Sequence, residues 1–555
     1  MKNILTEEQC AVLQSNEAQN FILAGAGCGK TTLLAEVVRR HVNDKTVAFT
    51  FTRKAATEMT SKLTEDGQSI PSNVIISTFH AFAFANVKKS NPSVVLSDDD
   101  NGLDIVKSIV KRLSLDVKPK AVFEEIKWSK NKNVDYLCHD DVMSKNDFKT
   151  VFDEYNKILK ESNYMDFEDI IIEASKLDYD FDVVLVDEFQ DINQIEIDYI
   201  KALTKKASKT YIFGDDSQSI YGWRGADNNF ELVKDYKVFR LTKNYRSPQN
   251  IIDEAAKVLT NKKYDKTINS QVGTTALIES TTFSDGWKEA EYVISKIESL
   301  LPSNESIAIL YRSSEMMSAI NKLLTEKNIP IAKIETKVIK DKDVQAFKNV
   351  LRLFVNDSNL SLISVIPFCG LFSSTSKKKI LSITGLNFAN STLPILMKSG
   401  LTSNDAIMLF TLVKKINMMK SNIKTLTSSS QFIDLLKTFI TDLKMSVTIP
   451  TSFVLNDNDD VMTQISLYID DTSVEEPQIV SNQTNGVAVM TVHSAKGLEF
   501  DNVFLVGVEK GIYTDDDEDR RVLYVGMTRA KKALYITSTE ERYVYGQLVK
   551  TGSYL

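Results

Sequence analysis

Long apolar runs are missing from this chain. No stretch approaches the roughly 18 residues needed to span a bilayer, and the N-terminal MKNILTEEQ lacks the charged-then-apolar layout of a secretion signal. The expected location is the cytoplasm. Cysteine and histidine are scarce as well: Cys10, Cys28, Cys138 and Cys369 form no C-x-x-C pair, and the four histidines, His41, His80, His139 and His493, add no ligand spacing beside them. A disulfide framework or a structural zinc site is therefore not expected; the adjacent Cys138-His139 sits in a charged stretch and reads as a solvated loop. With only 20 Gly and 10 Pro among 555 residues, a fibrous chain or long disordered tails are not expected either. Nor is there an excess of positive charge: 67 Lys+Arg against 74 Asp+Glu leave a net charge of -7. A surface coated for non-specific nucleic-acid binding is thereby ruled out, but a local basic groove is not.

What is present is an ordinary globular composition, 43% hydrophobic and 25% charged, long enough for several cores. Short apolar runs (FILAGAG, TVAFTFT, VIISTFH) alternate with helical stretches over the first ninety residues, the pattern of βαβ units on a parallel sheet. The chain turns helical and rich in Lys and Asp from 91 to 164. Strand patterns return at FDVVLVDE, KTYIFGDD, YKVFRLT and ESIAILYR, give way to a helical stretch rich in Ser, Thr, Asn and Lys from 356 to 484, and resume at GVAVMTV, NVFLVGV and KALYITS. The expected fold is α/β: two cores with parallel sheets, each interrupted by a mainly helical insertion. The boundaries are 1–90 with 165–245 for the first core, 91–164 for its insertion, 246–355 with 485–555 for the second core, and 356–484 for its insertion.

The segment FILAGAGCGKTTLLAEVV reads as strand, glycine-rich loop and helix. Such a loop aims backbone N–H groups and a helix N-terminus at phosphates, a lysine (Lys30) reaches the β- and γ-phosphates, and a hydroxyl (Thr31) ligates magnesium. The residues implicated run from Ala24 through Gly25, Ala26, Gly27, Cys28 and Gly29 to Lys30, Thr31 and Thr32. Ala24 stands where the strict pattern has glycine. At Cys28 a small residue suffices; a redox switch is the alternative reading.

DVVLVDEFQD supplies an acidic partner: an apolar strand delivers Asp187 and Glu188 at its carboxyl end, where ligands of parallel sheets collect. Asp187 is expected to hold magnesium, and Glu188 to act as general base or to position the attacking water. The alternative use of such a pair is to cap the following helix. These two motifs alone describe an NTP-hydrolysing site, and a kinase of small metabolites shares them.

GDDSQSIYGWRGA narrows the class. It places Gln218 beyond a strand and then presents Tyr221, Trp223 and Arg224 between glycines, so that aromatic faces and a cation are available to stack on unpaired bases, at about 1–3 kcal/mol per base. A core aromatic cluster is the competing reading. LTKNYRSPQN and RRVLYVGMTRAKKALYI each carry an arginine, Arg246 and Arg529, of the kind that stabilises charge on a transferring phosphoryl group; taken singly, each also fits a surface ion pair.

In order along the chain, LTEEQ, AGAGCGKTT, TFTRKAATEM, STFHAFA, MDFEDI, VLVDEFQDIN, GDDSQSIYGWRGA, LTKNYRSP, AILYRS, VMTVHSAKGLEFDNVFLVG and VLYVGMTRA resemble the UvrD/Rep/PcrA group of superfamily 1 DNA helicases. The two insertions match that group in position and hardly at all in sequence. The resemblance implies two RecA-like cores, ATP and magnesium as cofactors, and 3′ to 5′ movement on single-stranded DNA, with 3′-tailed duplex as substrate. It also implies that Gln9 reads the adenine, Tyr245 stacks near it and Glu499 meets the ribose. Gly27, Gly29, Lys30 and Thr31 would hold phosphates and magnesium, Asp187 and Glu188 would drive water attack, Gln218 would sense the γ-phosphate, and Arg246 and Arg529 would be arginine fingers. For DNA it implies Phe51, Thr78, His80, Tyr221, Trp223 and His493 as contacts, and Tyr545 as the strand-separating aromatic. The shortened insertions, the compressed GIYTDDDEDRR segment and the few residues after Tyr545 leave two outcomes open: a helicase acting in repair, replication or defence, or a DNA-stimulated ATPase that depends on a separately encoded nuclease.

Overall fold

The computed structural model describes residues 5–64, 69–226, 230–261, 264, 266–332, 342–355, 359–381, 383, 391–423, 425–426, 428–450, 453, 455, 461–470, 486–544 and 547–555. It divides into two compact units. One joins Met1–Phe82, Ser175–Lys337 and Glu476–Leu555; the other joins Ala83–Ala174 and Val338–Glu475.

Among the described residues the first unit holds two large, mainly parallel sheets and a short two-stranded one. Strands β1 (Gln19–Ala24), β2 (Thr46–Thr50), β3 (Val74–Thr78), β4 (Val183–Val186), β5 (Lys209–Gly214) and β6 (Lys237–Leu241) pair in the order β3-β2-β4-β5-β1-β6, all parallel. Because such a sheet is covered on both faces, its central strands are continuous apolar runs: every residue of β2 and β4 is buried. The second sheet is built from β7 (Leu277–Asp285), β8 (Ile307–Tyr311), β9 (Ile331–Ala332), β10 (Val487–Thr491), β11 (Phe500–Leu505) and β12 (Ala530–Val544), in the order β7-β12-β11-β8-β10-β9. A last strand, β13 (Gln547–Lys550), pairs antiparallel with β12. The two cores are α/β with parallel sheets, as the alternation of strands and helices predicts, and RecA-like, as the family resemblance implies.

The first core packs Ile22, Leu33, Leu34, Val37, Leu185 and Phe213 between sheet and helices. In the second core a buried arginine replaces part of the apolar filling. Arg542 of β12 reaches Glu509 (2.7 Å) and Glu289, all three nearly inaccessible to water, and Glu289 also accepts from the Thr537 hydroxyl (2.6 Å) and the Gly507 N–H (3.1 Å).

The second unit is mainly helical. Residues of the earlier insertion pack around Phe148, Val151, Phe152 and Tyr155, while a larger cluster around Phe347, Leu409, Leu412, Phe432 and Leu436 forms the core of the later one. The two clusters belong to one unit, with the Tyr164 and Ser361 hydroxyls hydrogen-bonded at 2.8 Å and Arg352 facing Asp98 at 3.4 Å. Among the described residues no helix is long and apolar enough to cross a membrane.

Removing one member of a buried charge cluster leaves the others unpaired, at a cost of about 3–5 kcal/mol. Arg542→Ala is expected to lower the thermal unfolding midpoint of the first unit accordingly, measured by calorimetry, whereas replacing the exposed Lys532 is expected to leave it within about 0.5 kcal/mol of the parent.

Candidate nucleotide and nucleic-acid site

The nucleotide site follows from strand order. β5 lies between β4 and β1, so the loops after these three neighbours converge at the carboxyl edge of the sheet. After β1 comes the glycine loop, with helix α1 (Lys30–Arg40) opening at its end. Gly27 and Gly29 adopt φ values of 70° and 78°, which side chains with a Cβ rarely tolerate. A Cβ at Gly27 would also lie 2.7 Å from that of Arg246. Ala24, by contrast, is the buried last residue of β1 and has no positive φ, so the backbone makes no demand for glycine there. Asn244 ties the loop down by donating to the Ala26 carbonyl (2.6 Å), and the Tyr245 N–H donates to that of Gly27 (3.0 Å), which leaves the Tyr245 ring exposed beside the loop. Gln9, locked in a capping box with Thr6, lies 3.1 Å from where a Cβ on Gly29 would be. The Cys28 thiol is buried and pushed up to about 12 by desolvation and by Asp215, so it is not a thiolate at neutral pH.

Asp187 and Glu188 follow β4. Glu188 has φ 51°, a left-handed conformation that costs a non-glycine residue about 1–2 kcal/mol. Its carboxylate lies 3.7 Å from the Lys30 ammonium and accepts from Gln190. Burial alone would raise the Glu188 carboxyl, but Lys30 and Lys496 outweigh it and hold the group below its ordinary range, so it is ionised and able to accept a proton. The neighbouring Asp187 is pushed up to about 7 by burial and by the Glu188 charge. A buried carboxyl that Lys30 does not fully neutralise, on the same carboxyl edge of the sheet as the glycine loop and Thr31, suits a hard divalent cation such as magnesium.

Gln218 follows β5. It donates to Asp215 (2.5 Å) and accepts from Arg529 of the second core (3.1 Å). Arg529 is only 1% exposed, held by the carbonyls of Val525 (2.9 Å) and Leu498 (3.3 Å); burial, reinforced by Arg246, draws its guanidinium down to about 9, still protonated at neutral pH. Arg246 meets Glu499 at 2.8 Å, and Glu499 also pairs with Lys531 at 2.6 Å.

On another part of the same edge, Phe51 beyond β2 stacks on Tyr221, with centroids 5.4 Å apart and rings 23° from parallel. The Arg224 guanidinium lies 5.4 Å from the Phe51 centroid, the Lys496 ammonium 5.2 Å from that of Tyr221, and His493 packs against the same ring at 6.0 Å. Trp223 completes the group, edge-on to Tyr221 and 62% exposed. Thr78 ends β3, paired with Thr50 of β2, and His80 lies in the first turn of the next helix, Phe79–Ser90; both thus share the edge with Phe51. Burial, with Arg312 nearby, draws His493 down to about 4, leaving it neutral. Tyr545 lies outside the described residues.

Three further polar residues join these groups without having stood out in the sequence. Lys496 bonds Asp191 and the Gln218 carbonyl (2.7 Å), Arg521 donates to the Ser219 carbonyl (2.6 Å), and Gln190 accepts from the Asp215 N–H (2.8 Å). Lys496 lies inside the matched segment VMTVHSAKGLEFDNVFLVG and Arg521 at the end of the compressed GIYTDDDEDRR stretch, but a lysine or arginine there is indistinguishable from a solvated one until the two cores are brought together.

The family model for the UvrD/REP helicase N-terminal domain matches residues 5–239, and that for the UvrD-like helicase C-terminal domain matches 239–383 and 409–541. Among characterised proteins, the chain is 28% identical to the ATP-dependent DNA helicase PcrA of Staphylococcus epidermidis, over 98% of its own length and 84% of that protein. It is 27% identical to the PcrA of Leuconostoc citreum (99% and 83%) and 28% identical to that of Staphylococcus aureus (98% and 84%).

Lys30→Ala is expected to abolish ATP hydrolysis while leaving the circular dichroism spectrum unchanged; retained turnover would contradict the phosphate role. His493 is held neutral in the fold but charges near 6.5 when unfolded, so its contribution is complete above that pH and is lost as pH falls through about 4. Compared with the parent in thermal melts, His493→Gln should therefore gain relative stability from pH 6.5 to 4.

Proposed function

The chain belongs to the UvrD-like helicase family of ATP-hydrolysing motors, and from that premise we propose that it moves 3′ to 5′ along single-stranded DNA and opens duplex from a 3′ tail. The observation that carries this reading is the Gln218–Arg529 hydrogen bond, which joins the loop after β5 in one core to the end of a helix in the other. A group that senses phosphate in one core and an arginine from the other make hydrolysis depend on how the cores close.

Gly27, Gly29, Lys30 and Thr31 would hold the phosphates, with Gln9, Tyr245 and Glu499 around the nucleoside and with Thr31 and Asp187 toward magnesium, which would neutralise phosphate charge. The incoming phosphate would replace Glu188 as the partner of Lys30. Glu188, already ionised, would then orient the attacking water and accept its proton. Arg246 and Arg529 would spread the charge that develops on the transferred group.

The same closure bears on the DNA track. Lys496 and Arg521, both in the second core, hold the carbonyls of Gln218 and Ser219, three and two residues before Tyr221. A shift of the second core on hydrolysis would therefore be felt by the aromatic group Phe51, Tyr221 and Trp223, on which bases would stack, with Arg224, Thr78, His80 and His493 beside it. Tyr545 would part the strands.

Trp223→Ala is expected to weaken single-stranded DNA binding by about 1–3 kcal/mol, read by fluorescence anisotropy, and to slow translocation more than ATP hydrolysis. Unchanged translocation would reject the contact. The purified chain is further expected to unwind a 3′-tailed duplex and not a 5′-tailed one. Unwinding that appears only when a nuclease partner is added would instead identify a DNA-stimulated ATPase subunit.

A further inference from the structure

Lys266 lies outside every segment used above, in a stretch that crosses the nucleotide site. Its side chain is 6% exposed and its ammonium lies between two buried carboxylates, Asp215 and Asp216, the latter at 2.6 Å. We propose that Lys266 is a positioning residue for ATP hydrolysis: by pairing with Asp215 it fixes the carboxylate that orients the Gln218 amide toward Arg529. The proposal rests on the reading of Gln218 and Arg529 as parts of the hydrolytic site.

The argument is one of donors and acceptors. An ionised carboxylate only accepts hydrogen bonds and a guanidinium only donates. Between Asp215 at 2.5 Å and Arg529 at 3.1 Å, the Gln218 amide therefore has one satisfied orientation, with NH2 toward Asp215 and oxygen toward Arg529. That holds only while Asp215 is charged. Asp215 is completely buried, which favours the neutral acid, and a neutral acid can donate to the amide oxygen. The amide would then turn and point its NH2 at Arg529, donor against donor. Lys266, helped by Lys30, overcomes the burial and keeps Asp215 ionised. The Asp215 N–H meanwhile donates to Gln190, whose amide reaches Glu188, so the same carboxylate-bearing turn adjoins the general base.

A purely structural role is less well served by a lysine here. The stretch has apolar anchors of its own: the Tyr264 ring packs on Phe21 and Phe230 with centroids 5.5 Å away, and Ile268 is buried against Gly25. Two carboxylates and an ammonium withdrawn from water contribute little net stability, whereas they determine a charge state.

The test is DNA-stimulated ATP hydrolysis by the full chain. Lys266→Met is expected to lower kcat by ~10- to 100-fold while leaving the KM for ATP within about threefold, since phosphate binding is untouched and only alignment is lost. Lys266→Arg should recover most of the rate. In a Gln218→Ala background, Lys266→Met should add no more than about twofold, because the group it positions is gone. An additive loss, or a Lys266→Met enzyme with parental kcat, would overturn the proposal. If Lys266→Met does not fold, Asp215→Asn retains the Lys266–Asp216 pair and should show the same fall in kcat; a parental rate would overturn the proposal equally. An unsubstituted chain lacking DNA-stimulated hydrolysis would instead refute the motor reading itself, and the proposal with it.

Discussion

A buried guanidinium must be hydrogen-bonded, and Arg529 meets that demand across two cores. Two of its bonds go to carbonyls of its own core and one to Gln218 of the other. Removing that charge from water without those partners would cost several kcal/mol. Each core alone is an ordinary parallel sheet with helices around it; it is this shared, desolvated charge that makes them one site. Lys496 and Arg521 repeat the device nearby, each a cation of the second core on a main-chain carbonyl of the first. The loop after β5 is thereby gripped by the second core through three contacts on two successive residues, the side chain and carbonyl of Gln218 and the carbonyl of Ser219, shortly before the aromatic group begins.

That arrangement explains why an acidic chain can have nucleic acid as its partner. The net charge of -7 belongs to the chain as a whole, while at the aromatic group Arg224 and Lys496 stand over Phe51 and Tyr221. Stacking is nearly indifferent to sequence and needs few neutralised phosphates, so on the proposed reading the grip would be local, and low net charge elsewhere would limit idle binding. The neutral state of His493 fits the same picture: buried against Tyr221, it adds to an aromatic wall rather than to the positive charge.

The buried carboxylates divide along similar lines. Glu188 and Asp215 each have a lysine close enough to keep them ionised, whereas at Asp187 burial and the Glu188 charge outweigh Lys30 and push the carboxyl up to about 7. Opposite demands of this kind on neighbouring acids are a mark of sites that handle both protons and metal-bound phosphate.

Much of this was legible before any coordinates. Alternating apolar runs and helical stretches determine two parallel α/β cores, because sheets covered on both faces require uninterrupted apolar strands. The glycine loop, the acidic pair and the aromatic loop are each contiguous, so their chemistry is local and can be read residue by residue. Strand order was not legible, since the register by which β5 falls between β4 and β1 depends on contacts between segments far apart in the chain. Nor were Lys266, Lys496 and Arg521, whose residue types in isolation describe a solvated surface. Their meaning comes from which carboxylate or carbonyl they are buried against, and burial is a property of packing: only when the two cores enclose the loop after β5 do these cations lose water and gain the partners that give them a role.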